Sequence, residues 1–411
     1  MEVMETPVIP RRTEKRWHYA PNVIALGWVS FLTDMASEML YPIIPLFLTT
    51  TLGASPAIVG LIDGIAEGIS TLLRWFAGAI SDHYRRRKPF IFAGYTLSAL
   101  SKPVMGMAAL AIGWPLFLVA RIVDRVGKSI RTAPRDALIA DSTPVEHRGA
   151  AFGLHRAMDT AGAVAGPAVA LLVLWSWPDV PLHYLFFLAL LPGLGSSLLT
   201  LVMIRDVPAE KLSSGPRPAI WRRYPAAFWR VLTVIGIFSL ANSSDSFLVL
   251  RSKDDGLSFV QIVLAFMLYN LVYALLSSPM GRLSDRVGRR PVIAGGWLLY
   301  AGVYAGFAIL RTPLAPWVLW SLYGAYQAMS EGVSKALIGD TVCAQDRAGA
   351  IGLTYTIAGL AQFVASVVAG STWGVHLGGW HLPFVLGSGL AFIAVGALML
   401  MVPLRHSTQH V

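Results

Sequence analysis

Cysteine is almost absent from this chain, charge is scarce, and the signatures of soluble chemistry are missing. The single Cys343 excludes an internal disulfide and a multi-cysteine metal site. There is no phosphate loop ending in Gly-Lys-Ser/Thr, no His-Glu-x-x-His and no cysteine or histidine cluster at metal-ligand spacing, so no nucleotide, metal or other cofactor is expected. Charged residues make up 14% of the 411, against about 25% in a soluble chain, and water could not solvate such a surface. The first twenty residues hold no apolar core and no small-residue cleavage site. No secretory signal peptide is expected, and the first apolar run itself would insert.

Hydrophobic residues are 55% of the chain, in runs that match the roughly 20 helical residues needed to cross a hydrocarbon core of about 30 Å. Turn residues and charge clusters divide the chain into about twelve spans: approximately Pro21–Thr50, Pro56–Ser81, Pro89–Ile112, Trp114–Ala140, Gly149–Trp175, Leu182–Ile204, Pro225–Leu250, Ser258–Leu283, Pro291–Leu310, Pro316–Asp340, Gly349–Trp373 and Trp380–Val402. The polar stretch from Arg205 to Tyr224, with Pro208, Pro216 and Pro218, separates six spans from six. The expectation is an all-α integral membrane protein with about twelve transmembrane helices in two pseudo-symmetric six-helix bundles. A tail covers 1–20, the bundles cover 21–204 and 225–405, a linker over 205–224 joins them, and a short tail covers 406–411.

Lysine and arginine set the orientation. With the N-terminal tail cytoplasmic, one face collects Arg11, Arg12, Lys15, Arg16, Arg85 to Lys88, Arg148, Arg205, Lys211, Arg217, Arg222, Arg223, Arg286, Arg289, Arg290, Arg347 and Arg405. The opposite loops hold only Arg251, Lys253 and Arg311. The positive-inside rule then places both termini in the cytoplasm, with the spans in the inner membrane. The formal net charge of +10 belongs to short loops beside lipid phosphates, and no nucleic-acid partner is expected.

Two junctions are written twice. Gly78-Ala-Ile-Ser-Asp82-His-Tyr-Arg85-Arg86-Arg87-Lys88-Pro89 is answered by Gly281-Arg-Leu-Ser-Asp285-Arg286-Val-Gly288-Arg289-Arg290-Pro291. Ala137-Leu-Ile-Ala-Asp141 followed by Arg148 to Leu154 is answered, at the same spacing, by Ala336-Leu-Ile-Gly-Asp340 followed by Arg347 to Leu353. Repetition of both junctions in register indicates a duplicated membrane protein.

With these motifs the chain resembles the major facilitator superfamily from its first span to its last. The loop from Gly281 to Arg290 follows the family pattern G-x-L-A-D-R-x-G-R-[RK], with Ser284 for Ala. The first copy keeps Gly78, Asp82, Arg86 and Arg87 but departs at His83 and at Arg85, where Gly is expected. The resemblance implies a monomeric secondary transporter whose halves rock. It also implies that Asp82 with Arg86, and Asp285 with Arg289, latch an inner gate framed by Gly78, Arg87, Gly281, Gly288 and Arg290. Physically, glycine permits close helix approach, and an Asp at a helix end can accept backbone N–H groups or pair with an Arg, so such contacts would set the balance of access states. The plainer alternative is that these loops only obey the positive-inside rule. In span five, Gly153, Gly162, Gly166 and Pro167 reproduce most of a pattern associated in that family with antiporters, with Ala170 and Leu171 replacing its final glycine pair. Small-residue packing and a bend account for these residues equally well.

Charges inside apolar spans are costly unless paired or wetted, which makes them the candidate chemistry. Span one carries Asp34 and Glu38 one helical turn apart, with Tyr41 just beyond. Span four carries Arg121, Arg125, Lys128, Arg131 and Arg135 at spacings of three and four, read as one basic stripe, together with Asp124 and Asp136. The simplest arrangement sets that stripe across an aqueous cavity from Asp34 and Glu38. Arg121 matches the Arg of the family's R-x-x-Q-G pattern, although Asp124 and Arg125 stand where Gln and Gly are expected. Span two adds Asp63, Glu67 and Arg74, and span five adds His155, Arg156 and Asp159 at helical spacing. A carboxylate near such cations can exchange a proton as water and charge come and go, so Asp34, Glu38, Arg121, Asp124, His155 and Asp159 are the expected coupling residues. Permanent structural salt bridges are the alternative.

The second half is less charged. Its polar candidates are Asn242, Asp245, Tyr269, Asn270, Tyr326, Glu331, Lys335, Tyr355 and Gln362, expected with Arg125, Lys128, Arg131 and Arg156 to line a substrate cavity. The leading expectation is a proton-coupled transporter, not an enzyme, that exports small amphipathic or organic-anion molecules by antiport. A symporter importing an organic anion is the first alternative, and a sensor or membrane enzyme on a transporter scaffold is the second.

Overall fold

The computed structural model describes residues 19–84, 86–144, 147–207, 224–343 and 346–402, with backbone alone for 74–84, 149, 347 and 348. Most of the linker and of the N-terminal tail, all of the C-terminal tail, Arg85, the surroundings of Gly78 and the side chain of Asp82 lie outside the described residues.

In hydrocarbon every backbone N–H and C=O must be satisfied within the protein, which favours helices. The described residues form twelve long helical segments: α1 (Pro21–Thr51), α2 (Pro56–Tyr84), α3 (Lys88–Met107), α4 (Trp114–Asp141), α5 (Arg148–Ser176), α6 (His183–Met203), α7 (Ala226–Asp254), α8 (Phe259–Val287), α9 (Arg289–Ile309), α10 (Ala315–Gly339), α11 (Arg347–Ser371) and α12 (Leu382–Met401). Among the described residues, nine helices are long and apolar enough to cross a membrane. The other three, α3, α4 and α10, are 20, 28 and 25 residues long and carry polar groups such as Lys102, the basic residues of α4, Glu331 and Lys335. A small hairpin, β1 (His376–Leu377) and β2 (Trp380–His381), precedes α12. Gly378 and Gly379 form its two-residue turn with φ of 59° and 91°, the positive values such a turn demands.

The repeated sequence becomes repeated packing. α1 packs on α5 and α6, α4 on α2 and α3, and α3 on α6. Shifted by six, α7 packs on α11 and α12, α10 on α8 and α9, and α9 on α12. Between the halves α2 lies along α11 and, less extensively, α5 crosses α8, two contacts that exchange under the same shift.

The loops rich in arginine gather at one end, the basic face. Arg87 is buried there, 3.6 Å from Asp141, and its backbone N–H donates to Asp206 at 2.9 Å. Arg289 reaches Asp340 at 3.5 Å in the other half. At the far end Arg251, expected in a loop, is instead buried in the last turn of α7. It pairs with Asp255 at 3.0 Å, donates to the carbonyls of Phe307 and Leu310, and meets His381 at 2.7 Å, clasping α7, α9 and the hairpin together.

Two helices break where they cross the interior. α1 is α-helical only to Glu38, because Pro42 disfavours helix before it. It resumes over Ile43–Leu46 and ends in a π-helical segment, Phe47–Thr51, where Thr49 and Thr50 donate back to Pro45 and Leu46. α7 unwinds after Ala241 and resumes at Ser246. The groups freed there find partners, as they must away from water. Tyr300 donates to the Ala241 carbonyl at 2.7 Å, and the Ser244 N–H donates to Ser366 Oγ at 3.1 Å.

Candidate functional site

The two broken helices face each other across the interface between the halves. Tyr41, in the α1 break, donates to Asp245, in the α7 break, at 3.2 Å, and Tyr323 donates to the other oxygen of Asp245 at 2.6 Å. Asp63 of α2 accepts from Ser244 at 2.7 Å and from Ser246 at 2.5 Å. Beside them α2 and α11 pack backbone to backbone: a Cβ on Gly60 would lie 2.3 Å from the Ser366 carbonyl, and one on Gly370 would lie 2.6 Å from that of Pro56. These contacts form a seam that joins the halves on the side away from the basic face.

On the basic-face side of the seam lies a cavity of about 820 Å³. Of the residues expected from sequence, it brings together Asp34, Glu38, Lys128, Arg156, Asp159, Asn242, Asp245, Tyr269, Asn270, Glu331, Tyr355 and Gln362. An adjoining chamber of about 250 Å³ shares Tyr41, Glu67, Lys128, Asp245 and Gln362 with it and places Arg121 and Arg125 near Asp63 and Glu67. Tyr326 and Lys335 instead line a third space of about 160 Å³, inside the second half and bordering the central cavity at Asn242, Glu331 and Tyr355.

Asp34 of α1 and Asp159 of α5 both line the cavity where these two helices pack. Arg156 pairs with Asp159 on the same helix at 3.2 Å, and Lys128 lines the cavity together with Asp34 and Glu38. Close helix packing sets this register. A Cβ on Gly162 would come within 2.3 Å of the Phe31 carbonyl, and one on Gly166 within 2.5 Å of the Met35 carbonyl. Only glycine allows α5 to lie against the turn of α1 that bears Asp34. A Cβ on Gly153 would have nothing within 4 Å, so that residue takes no part in the packing, and Pro167 is accommodated within an unbroken α5.

Three expected cavity or coupling residues are elsewhere. Asp124 turns to α3, where it accepts from Ser98 at 2.5 Å and lies 3.6 to 3.8 Å from Lys102, Arg121 and Arg125. Arg131 is buried on the same side, over the ring of Tyr95 at 4.6 Å and near the Gly94 carbonyl. His155 is buried between α5 and α1, hydrogen-bonded to Ser30 at 2.8 Å. The α4 charges are therefore two faces, not one stripe.

The described members of the expected gate sit on the basic face. Gly288 takes φ +94°, the conformation for which the loop pattern requires glycine. Arg289 pairs with Asp285, Ser284 and Asp340, and Arg290 donates to the Met399 carbonyl, contacts that tie elements of one half together. Arg86 is exposed. Gly281 has open space where a side chain would point, so it mediates no close helix approach.

Sequence reasoning missed one participant and the partners of another. Tyr273 of α8 donates to Glu331 at 2.5 Å beside the Lys335–Glu331 pair at 2.8 Å. Asp63 was visible as an acid in an apolar span, but its serine partners are about 180 residues away and follow only from the fold.

This architecture of two matched helical bundles around a polar interfacial cavity is that of a membrane transporter. The Major Facilitator Superfamily model matches residues 26–265 and 232–410, and the chain belongs to that family. It is a family of transporters and not of enzymes. The chain is 35% identical over 404 residues to an uncharacterised MFS-type transporter of Methanocaldococcus jannaschii, covering 96% of this chain and 98% of that one. It is 32% identical to a multidrug resistance protein, MdtH, of Photorhabdus laumondii over 52% of this chain and 51% of that one. It is 25% identical to a probable 4-methylmuconolactone transporter of Cupriavidus pinatubonensis over 65% and 63%. Among solved structures, a point mutant of the nucleoside transporter NupG superposes with a TM-score of 0.77 at 15% identity, over 93% of this chain and all of the other, a likeness of fold.

Proposed function

We propose that the protein is a proton-coupled secondary transporter that works by alternating access and exports small amphipathic or organic-anion molecules by antiport. It would act as a monomer in the inner membrane with the basic face and both termini cytoplasmic. The observation that carries this reading is the central cavity, which lies between the halves and gathers Asp34, Glu38 and Asp159 with Lys128 and Arg156 in its lining. A carboxyl group there releases its proton when rocking brings water or a cation to it and regains one when they withdraw. Asp34 and Asp159, which line this cavity together, are the assigned proton carriers, with Glu38 beside them. The glycine pattern of α5 and the multidrug resistance relative support export.

The test uses inside-out vesicles with an acidified lumen and a panel of organic anions and amphipathic cations. An antiporter alkalises the lumen when its substrate is added, and Asp34→Asn reduces that response at least ten-fold, about 1.4 kcal/mol. Alkalisation that is equal in Asp34→Asn vesicles would sink the coupling assignment. A second reading, an anion-importing symporter, is favoured by Arg121, Arg125 and Lys128 in the adjoining chamber. It predicts acidification of the lumen when an organic anion is added.

A further inference from the structure

The central cavity, about 820 Å³, falls in the range of roughly 300–1,000 Å³ that takes a small organic molecule, and its lining sets carboxyl groups at the same depth as aromatic rings. α8 contributes Phe266, Tyr269 and Tyr273, spaced three and four apart on one helix face. At the floor Tyr41, in the α1 break, stacks on Phe266 with ring centroids 5.3 Å apart. α1 runs away from the basic face and α8 runs toward it, so residues before Tyr41 and residues after Phe266 both climb from this contact toward that face. Glu38 and Tyr269 stand three residues along, Asp34 and Tyr273 seven, which at the helical rise is about 4.5 and 10.5 Å. Phe266 and Tyr269 are largely covered, while Tyr273 and, on α11, Tyr355 present more open rings.

The charges of this lining are unequal. Among the described residues it holds six acids against two cations, Lys128 and Arg156. Asp159 is paired with Arg156 at 3.2 Å and Glu331 with Lys335 at 2.8 Å, and Asp245 accepts from Tyr41 and Tyr323. Asp34, Glu38 and Glu67 remain, all half-buried and so within reach of a guest, with Lys128 as the cation left to answer them. Arg121 and Arg125 do not redress the balance, because they line the adjoining chamber and lie 3.7 and 3.8 Å from Asp124. Lys128 is exposed, borders both spaces and has no ion pair among the described residues. Its ammonium is a compact charge on a flexible four-carbon stem, free to enter or leave the group of carboxyls. Carboxyls in excess beside ring faces suit a cationic guest: the faces attract positive charge, and a charge withdrawn from water requires a counter-ion.

We infer that the substrate is an organic cation with an aromatic or apolar body, and that Lys128 is a tethered cation which holds its place among Asp34, Glu38 and Glu67 until the substrate displaces it. The apolar body lies against the α8 rings and Tyr355. Lys128 is then a specificity-determining residue, setting how strongly a cation must bind in order to enter. This assignment rests on the transport reading above and names the substrate class of that site.

The test is equilibrium binding of radiolabelled tetraphenylphosphonium and, as a smaller probe, benzyltrimethylammonium to the purified full-length protein in detergent at one pH. Tetraphenylborate, of the same shape and opposite charge, is measured separately. Saturable binding of a cation and none of the borate is expected in the wild type. Lys128→Met, which keeps the length of the side chain and removes its charge, raises cation affinity about ten-fold, because an occupant that must leave lowers apparent affinity by the fraction of sites it holds. Lys128→Arg, which keeps a tethered cation, does not. Glu67→Gln lowers cation affinity about ten-fold, both alone and in the Lys128→Met background, the loss expected when a counter-ion worth about 1.4 kcal/mol is removed. Saturable borate binding as tight as that of the phosphonium, no saturable binding of either cation, or cation affinity unchanged or lowered in Lys128→Met overturns the inference. The first two outcomes are read on the wild type and do not depend on any variant folding. Proton-driven flux of anionic or neutral compounds without cation binding defeats this assignment and leaves the transport reading standing. Cation binding without any proton-driven flux does the reverse.

Discussion

Asp34 and Asp124 read alike in the sequence, each an acid in an apolar helix within reach of arginines, and the structure gives them different work. Asp34 lines the cavity together with Asp159. Asp124 sits away from the cavity among Lys102, Arg121 and Arg125, where its removal leaves three buried cations short of a counter-ion. Breaking such a buried group costs about 3–5 kcal/mol, so Asp124→Asn is expected to lower the melting temperature in detergent sharply. Asp34→Asn and Asp159→Asn are expected to melt close to wild type and to lose proton-driven flux at least ten-fold. A flux defect with normal melting in Asp124→Asn would return that residue to the coupling set. The presence of acids in α1, α4 and α5 was legible in sequence, but their division was not. Spacings of three and four draw all the α4 cations into one stripe, whereas at about 100° per residue Asp124 and Arg131 fall together, turned toward Ser98 and Tyr95 of α3.

At the scale of elements, the glycines of α5 and the clasp on α7 decide where helices lie. A methyl at Gly162 would meet the Phe31 carbonyl at 2.3 Å, and none would be met at Gly153. Gly162→Ala is therefore expected to push α1 from α5 at a cost of about 1–3 kcal/mol and to lower flux by moving Asp34 off Asp159. Gly153→Ala should leave melting and flux unchanged, and equal effects at the two positions would contradict this packing. The helix count, the duplication and the tight α5 face could all be read from hydropathy, repeated junctions and glycine spacing. The break in α7 was missed, although Asn242-Ser243-Ser244-Asp245-Ser246, five turn-forming residues inside an apolar run, is the signal that marks it.

The clasp carries its own pH signature. Burial pushes the Asp255 carboxyl up to about 6, against the pull of Arg251. The folded protein therefore binds this proton more tightly than the unfolded chain does, where the ordinary value is about 3.9. The contribution of Asp255 to stability is present below about pH 4 and is lost as pH rises through 6, a change of up to about 3 kcal/mol. The stability of wild type relative to Asp255→Asn should fall over that interval. A difference that stays constant from pH 4 to 7 would exclude this effect of burial.

For the whole molecule, the proposed cycle makes the balance between access states depend on the seam opposite the cavity. Asp63 with Ser244 and Ser246, and Tyr41 with Asp245, are hydrogen bonds to carboxyl groups that cross between the halves. Bonds of this kind contribute about 1.5–3 kcal/mol each, so the seam is on the scale of the roughly 5.5 kcal/mol that moves a two-state balance from 1:99 to 99:1. If the halves rock, these bonds must break in every cycle, and joining them covalently must stop it. The natural chain has one thiol, the exposed Cys343, so Cys343→Ser provides a background for Asp63→Cys with Ser246→Cys. A short, reducible bifunctional thiol reagent that bridges the pair is expected to abolish flux, and reductant should restore it, while either single-cysteine variant treated the same way keeps its activity. Full cross-linking with undiminished flux would mean that the seam never opens, and the rocking of two six-helix bodies would have to be replaced by movement within one of them.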